Sequence, residues 1–255
     1  VGSLTNAAAV TYNITTTIGG GSATVNASTG MVTATGSGVA ILIASMSATA
    51  DYTSASASTT ITIAASTPVL SLTVVGGLSL TVDGTAQAIV SSNPLTATTQ
   101  QTLVFVAIAG SGSVTINVGS GLIIGTRAGT VTIGVIAIAN TNYNQASTTT
   151  LVTVGKRTPT LQFSPQPTAI VVGVMQTVSA SSTTMLVDNG GGISYTLAAG
   201  SGSGTVDPVS GLLTALGAGT VTLNATLLGS NNYNSALTST LVTIGKSTPS
   251  LALSG

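Results

Sequence analysis

Eight side chains carry all of the formal charge in this chain, and acid–base or electrostatic chemistry would have to start from them: Asp51, Asp83, Asp188, Asp207, Arg127, Lys156, Arg157 and Lys246. They sum to zero and are spread over 255 residues that contain no Glu, His, Cys or Trp. General acid–base work near neutral pH rests on His or a tuned carboxylate, nucleophilic catalysis needs a base beside the nucleophile, and zinc sites draw on His or Cys. None of these sets can be assembled, so the sequence predicts no catalytic residues, no cofactor and no metal site; the protein reads as a non-enzyme. Calcium would need several carboxylates in one place, and the four Asp are scattered.

The same scarcity bounds the partners. Four separated cations without interleaved aromatics do not make a phosphate-binding stripe, so nucleic acid is not expected. Thr, Ser and Gly interrupt every apolar stretch before the roughly 18 residues a spanning helix requires, so no membrane span is expected. A transmembrane barrel would carry interfacial aromatic girdles, which this sequence lacks. Val1 opens with neither Met nor a signal-peptide pattern, which suits a processed chain or a piece of a longer one.

Three amide side chains stand in Asn-x-Ser/Thr sequons, Asn13, Asn26 and Asn224, and are the candidate glycan acceptors. Asn224 is the preferred one, because it alternates with Val221, Leu223, Ala225 and Leu227 and must face outward if those face a core.

The elements that hold these residues are strands. Val, Ile, Leu and Ala alternate with Thr and Ser at period two, as in 220–227, and Gly or Asn breaks recur at 110–112 and 190–192. Tyr52, Tyr143 and Tyr233 lie 91 and 90 residues apart in matching contexts, a domain-sized period. Asn140-Thr141-Asn142-Tyr143-Asn144 answers to Ser230-Asn231-Asn232-Tyr233-Asn234, and Leu151–Lys156 answers to Leu241–Lys246. A more divergent first copy carries Thr49-Ala50-Asp51-Tyr52-Thr53. Closing strands run into Thr67-Pro68, Thr158-Pro159 and Thr248-Pro249, where proline cannot donate to a ladder.

The run from Ala128-Gly129-Thr130-Val131-Thr132 through Asn142-Tyr143-Asn144 to Thr158-Pro159 resembles the bacterial immunoglobulin-like (Big/MBG-type) repeats of large secreted adhesins and surface filament proteins. The resemblance implies an all-β chain of tandem immunoglobulin-like β-sandwiches on an extracellular, cell-surface protein. With the period of about 90 residues, it divides the chain into 1–66, lacking its opening strands, then 67–157, 158–247 and an orphan opening strand at 248–255. The repeated Tyr reads as a corner-packing residue of each sandwich. Lys156 and Lys246 read as strand-end charges, with no acidic partner for an isopeptide crosslink.

Outward positions of one strand differ between copies. They are Thr220, Thr222, Asn224 and Thr226 in the third, but Thr130, Thr132, Gly134, Ile136 and Ile138 in the second and Val39, Ile41, Ile43 and Ser45 in the first. Apolar outward strips mark contact surfaces, so Val39, Ile41, Ile43, Ile136 and Ile138 form the candidate assembly surface. Pro249, Leu251 and Leu253 form a candidate donor strand for the first repeat of another copy. The expected function is a homopolymeric subunit of a filament, pilus-like fibre or sheath; the alternative is a stalk of repeats in a large adhesin.

Overall fold

Alternating β-branched residues suit a pleated sheet with one covered face. The computed structural model of the protein describes residues 8–16, 21–93, 100–182, 192–198 and 200–250, and its named elements are all strands. Up to Ser66 they are β1 (Val10–Thr16), β2 (Ser22–Val25), β3 (Val32–Gly36), β4 (Gly38–Met46) and β5 (Ala55–Ile63). The order β1-β4-β5 makes one antiparallel sheet, and β2-β3 makes a hairpin.

The next eight are β6 (Val69–Val75), β7 (Ser79–Thr81), β8 (Thr85–Asn93), β9 (Leu103–Ile108), β10 (Ser113–Ile116), β11 (Leu122–Arg127), β12 (Gly129–Ala137) and β13 (Ala146–Gly155). They form two four-stranded sheets, β10-β11-β8-β6 and β7-β13-β12-β9. This is the strand order of an immunoglobulin-like sandwich whose first strand is split between the sheets, its second half running parallel to the last strand. The pattern recurs in β14 (Leu161–Phe163), β15 (Ala169–Val171), β16 (Met175–Thr177), β17 (Ala180–Ser182), β18 (Ile193–Ala198), β19 (Ser203–Val206), β20 (Leu212–Gly217), β21 (Gly219–Leu227) and β22 (Ala236–Gly245). Here the second strand of the sandwich is broken into β16, which pairs with β20, and β17, which pairs with β14.

Two buried clusters follow from the alternation. In the second repeat Val131, Ile133, Val135, Val152 and Val154 meet Val74, Ala88 and Ile123 of the facing sheet. In the third, Val221, Leu223, Ala225, Val242 and Ile244 meet Leu161, Val178 and Leu213. Each fully buried Val, Leu or Ile contributes about 1.5–3 kcal/mol. The first repeat has counterparts of β9–β13, and among its described apolar residues Ala40 alone is fully buried. Leu42 and Ala44, which match Ile133 and Val135, are only half-buried.

Each sandwich is braced by a turn that the repeat at Tyr did not reveal. Asn26, Asn117 and Asp207 occupy matching positions, each accepting the backbone N–H groups two and three residues on through its Oδ1. The turn ends in a glycine at φ 71°, 73° or 70°, packed against the ring of Tyr12, Phe105 or Tyr195, where a Cβ would meet ring atoms at 3.1, 3.0 or 3.2 Å. Left-handed geometry and the ring both require glycine there.

The outward rows are partly shielded by their own cross-strand neighbours. Ile41 lies between Thr15 and Thr60, and Ile43 between Asn13 and Ser58. Ile136 lies between Val104 and Ser147, beside Val106 and the exposed Ile108. The third repeat is less polar than β21 alone suggests, because β22 places Leu237 and Leu241, 66% and 60% exposed, on the same face.

Asp207 is the one acid in these turns, and Ser210 N–H holds its carboxyl below the ordinary range, helped by the Ser210 hydroxyl and Val209 N–H. A depressed folded pKa gives stability that is present above the ordinary carboxylate value and lost as pH falls towards the folded one. Asp207→Asn, the residue type of the other two turns, should therefore lower the melting temperature slightly at pH 7. That difference should vanish in strong acid, as thermal melts across the pH range would show.

Candidate functional site

The described residues bring together no cluster of three or more His, Cys, Asp or Glu. They bring together instead the tyrosine loop of one repeat and the end of the repeat before it. Each loop joins the last two strands of its sandwich and is closed by its own side chain. The Asn140 Oδ1 accepts the N–H of Asn142 and of Tyr143 at 2.9 Å, and the Ser230 Oγ accepts those of Asn232 and Tyr233 at 3.2 and 3.1 Å. Thr49 Oγ1 takes the Tyr52 N–H at 3.2 Å. The loop is thus shaped before it docks, which lowers the entropy cost of docking.

The docked face is built from the residue just before β4 or β12 and from the Thr-Pro junction. Asn142 Oδ1 accepts the N–H of Ser37 at 2.9 Å, and Asn232 Oδ1 accepts that of Ala128 at 2.9 Å. Ser37 Oγ also donates to the Thr141 carbonyl. The junction adds a short parallel bridge. Ser66 N–H donates to Asn142 O at 2.9 Å and Asn144 N–H to Ser66 O at 2.8 Å; Arg157 and Asn234 repeat this at 3.0 and 2.9 Å. Finally, Asn144 Nδ2 donates to Thr67 Oγ1 and Asn234 Nδ2 to Thr158 Oγ1, both at 2.8 Å.

Tyr143 and Tyr233 therefore turn towards the preceding repeat, where the sequence suggested packing at the corner of their own sandwich. Tyr233 is 2% exposed and belongs to the core cluster of the preceding repeat, with Leu80, Val82 and Val154. The sandwich core runs open at that end, and a ring from the next repeat fills it. Tyr143 is only half-buried and lines a cavity of about 210 Å³ with Ser37, Ile63 and Ala64.

Charge enters only the second joint. Tyr233 OH donates to Asp83 Oδ2 at 3.3 Å, and Arg157 Nη1 reaches the same oxygen at 3.1 Å. Both side chains of the ion pair are nearly half exposed, 44% and 45%, so its worth is about 0–1 kcal/mol. Asp83 holds a left-handed φ of 62° to aim its carboxylate, a conformation that costs on the order of 1 kcal/mol. Lys156, exposed just beyond β13, donates from its Nζ to the Ser230 carbonyl at 2.7 Å.

The residues singled out from sequence lie elsewhere. Asn13 is exposed on β1, with its Oδ1 accepting the Ile14 N–H at 2.8 Å. Asn26 is exposed but braces its turn, and Asn224 faces outward, half-buried between Thr196 and Ser239. Val39, Ile41, Ile43 and Ile136 are half-buried in outward rows, and Ile138 is exposed. Pro249 is exposed, whereas Leu251 and Leu253 fall outside the described residues. Sequence reasoning gave Asn142 and Asn232 no contact role; their recurrence at the same place beside the repeated Tyr was the available signal.

No family model matches the sequence, and no curated protein matches it. Solved structures do. A protocadherin gammaB7 EC3-6 cis-dimer structure is 14% identical, with 94% of this chain and 65% of that chain covered at a TM-score of 0.33. Drosophila N-cadherin EC1-4 is 12% identical, with 96% and 67% covered at 0.34. Domains 1-6 of the surface layer protein SbsC are 12% identical, with 94% and 35% covered at 0.30. Superposition this loose carries no information on ligand or partner.

Tyr233→Ala should cost about 3–5 kcal/mol of second-repeat stability, the range for emptying a large buried ring. Tyr233→Phe should cost about 0.5–1.5 kcal/mol, the worth of one hydrogen bond. Asn232→Ala, which strands the Ala128 N–H, should cost about 1–3 kcal/mol. Urea unfolding of the three variants checks the ranking.

Proposed function

We propose that this chain is a structural rod, three immunoglobulin-like repeats over 1–66, 67–157 and 158–247, that serves as a subunit of an extracellular filament, pilus-like fibre or sheath on a cell surface. The observation that carries this reading is the joint. The same loop docks on the same end of the preceding sandwich twice in one chain, through matching hydrogen bonds from Asn142 and Asn232. A joint held in this way passes orientation and load from repeat to repeat, which a flexible linker does not.

Zero net charge and exposed aliphatic rows support association between copies. Val39, Ile41 and Ile43 of β4 and Ile136 and Ile138 in and beyond β12 are the lateral contacts of that assembly, with Asn13, Asn26 and Asn224 as glycan acceptors. Strand donation by 248–255 into the first repeat finds no matching partner there. Pro249 matches Pro68 and Pro159, and the strand after Pro68, β6, pairs with β8, which has no counterpart among the described residues of the first repeat.

Sedimentation velocity and electron microscopy of the purified chain test the reading. Association that rises with concentration and weakens in the double variants Ile41→Lys/Ile43→Lys and Ile136→Lys/Ile138→Lys is expected. A straight rod that stays monomeric at millimolar concentration would sink the filament and transfer the reading to a stalk in a large adhesin, which the same joints would also build.

A further inference from the structure

We infer that β6 (Val69–Val75) is a pairing edge for β6 of a second copy of this chain, the two strands running antiparallel about a two-fold axis at Leu72 so that the β10-β11-β8-β6 sheets of the two copies become continuous. This lateral contact, made through backbone bonds, rests on the filament reading and adds to it.

Among the described residues only β8 pairs with β6, which is the outermost strand of its sheet. Ala88, opposite Val74, donates its N–H to Gly121 O at 3.0 Å on the far side of β8. Val74 and Ala88 therefore exchange no ladder bonds, and by alternation the same holds for Leu70 and Leu72 along the strand. The N–H and C=O groups of Leu70, Leu72 and Val74 accordingly point off the edge of the sheet, where Val74 O meets Gly77 N–H at 3.2 Å.

Natural sheets blunt such an edge with proline, a bulge, a charge or brevity. The other outermost strands of the second and third repeats are blunted or tied down. β7, β14, β15, β16 and β17 have three residues each, and β10 and β19 are bulged at Ser113/Val114 and Ser203/Gly204. On β9 and β18, Phe105 N–H donates to Val118 O at 2.9 Å and Tyr195 N–H to Pro208 O at 3.0 Å. In the third repeat Pro165 stands where Val74 stands and lacks the outward donor. β6 keeps seven residues in unbroken register with β8, without proline, and no charged residue lies between Asp51 and Asp83.

The strand's own sequence selects a second copy as occupant. Pairing centred on Leu72 sets Leu70 opposite Val74 at both ends and Leu72 opposite itself, so the outward backbone groups of one copy meet those of the other. On the solvent face the same register sets Val69, 72% exposed, against Val75, 52% exposed, and Ser71 against Thr73. Apolar side chains thus meet apolar ones and hydroxyls meet hydroxyls. A shift of two residues loses a bonded pair and sets valine against Thr73 or Ser71. The end of the strand is clear, since a Cβ at Gly76 or Gly77 would meet nothing within 4 Å. A strand about 24 Å long buries well under the roughly 800 Å² per partner of a standard interface, so a single contact is weak and is tested by trapping it.

The chain has no cysteine, and Ser71 and Thr73 are exposed. Ser71→Cys and Thr73→Cys single variants are mixed with oxidised glutathione. Opposed Cα atoms of such a pair lie about 4.5 Å apart, within disulfide reach. The unlike pair should therefore link at least about tenfold faster than either like pair, because paired thiols react at an effective concentration near millimolar. Ser71→Lys/Thr73→Lys leaves the inward side of β6 untouched and should keep the melting temperature. In sedimentation it should weaken self-association about tenfold, the scale of two like-charge cross-strand pairs, and mixing it with Ser71→Asp/Thr73→Asp should restore association. Like and unlike disulfides forming at equal rates, or a lysine variant that associates as the unchanged chain does, would overturn the edge contact. If Ile41→Lys/Ile43→Lys or Ile136→Lys/Ile138→Lys then still weakens association, the filament reading survives without it; if the unchanged chain is monomeric at millimolar concentration and no disulfide is preferred, both fall.

Discussion

The backbone amide of Ala128 is the constraint on which the arrangement of repeats depends. Gly129 turns the chain into β12 at φ 137°, close enough to the Ser111–Gly112 backbone that a Cβ would lie 2.4 Å from Gly112 N. With β12 entered that way, the preceding N–H points out of the end of the sandwich and is met by Asn232 of the next repeat. Ser37 and Asn142 restate the relation one period earlier. A buried donor without an acceptor costs on the order of 1–3 kcal/mol. The first two repeats are therefore closed at this end by their successors, and stability becomes partly a property of pairs of neighbours, as in other repeat proteins.

The two joints share hydrogen bonds and differ in packing. Tyr233 enters a core that two full sheets already enclose, and it is buried to 2% exposure. Tyr143 meets Ile63, Ala64 and Ser37 from a repeat whose described strands make one three-stranded sheet and a hairpin, so a cavity remains beside it. The polar half of the joint fixes direction and register; the apolar half sets how much energy resists bending. The second joint is the stiffer by this reasoning, and it also holds Asp83, Arg157 and Lys156.

Much of the fold was legible. Alternation of Val, Ile and Leu with Thr and Ser names strands because period two is the geometry of a pleated sheet, and Thr220–Leu227 follows it without a break. The repeated Tyr marks a domain-sized period. Its destination was not legible, since periodicity within a repeat shows which residues share a face and is silent on whether a ring fills its own core or its neighbour's. The outward faces misled for a related reason: β21 alone reads as polar, and Leu237 and Leu241 join its face only through register with β22. The turns at Asn26, Asn117 and Asp207 escaped because the residues between the bracing side chain and its glycine differ while the geometry does not.

In a chain with eight charges, where they sit is informative. Asp83, Lys156 and Arg157 lie in the second joint, Lys246 holds the position of Lys156 one repeat later, Asp51 holds the position of Asn142 one repeat earlier, and Arg127 adjoins Ala128. Asp207 is consumed in bracing a turn. The sheets between joints are left neutral and rich in Thr, a surface that tolerates close lateral approach because it presents neither like charges to repel nor long side chains to immobilise. The ionic groups thus add to the second joint, while both joints take their register from the same uncharged hydrogen bonds.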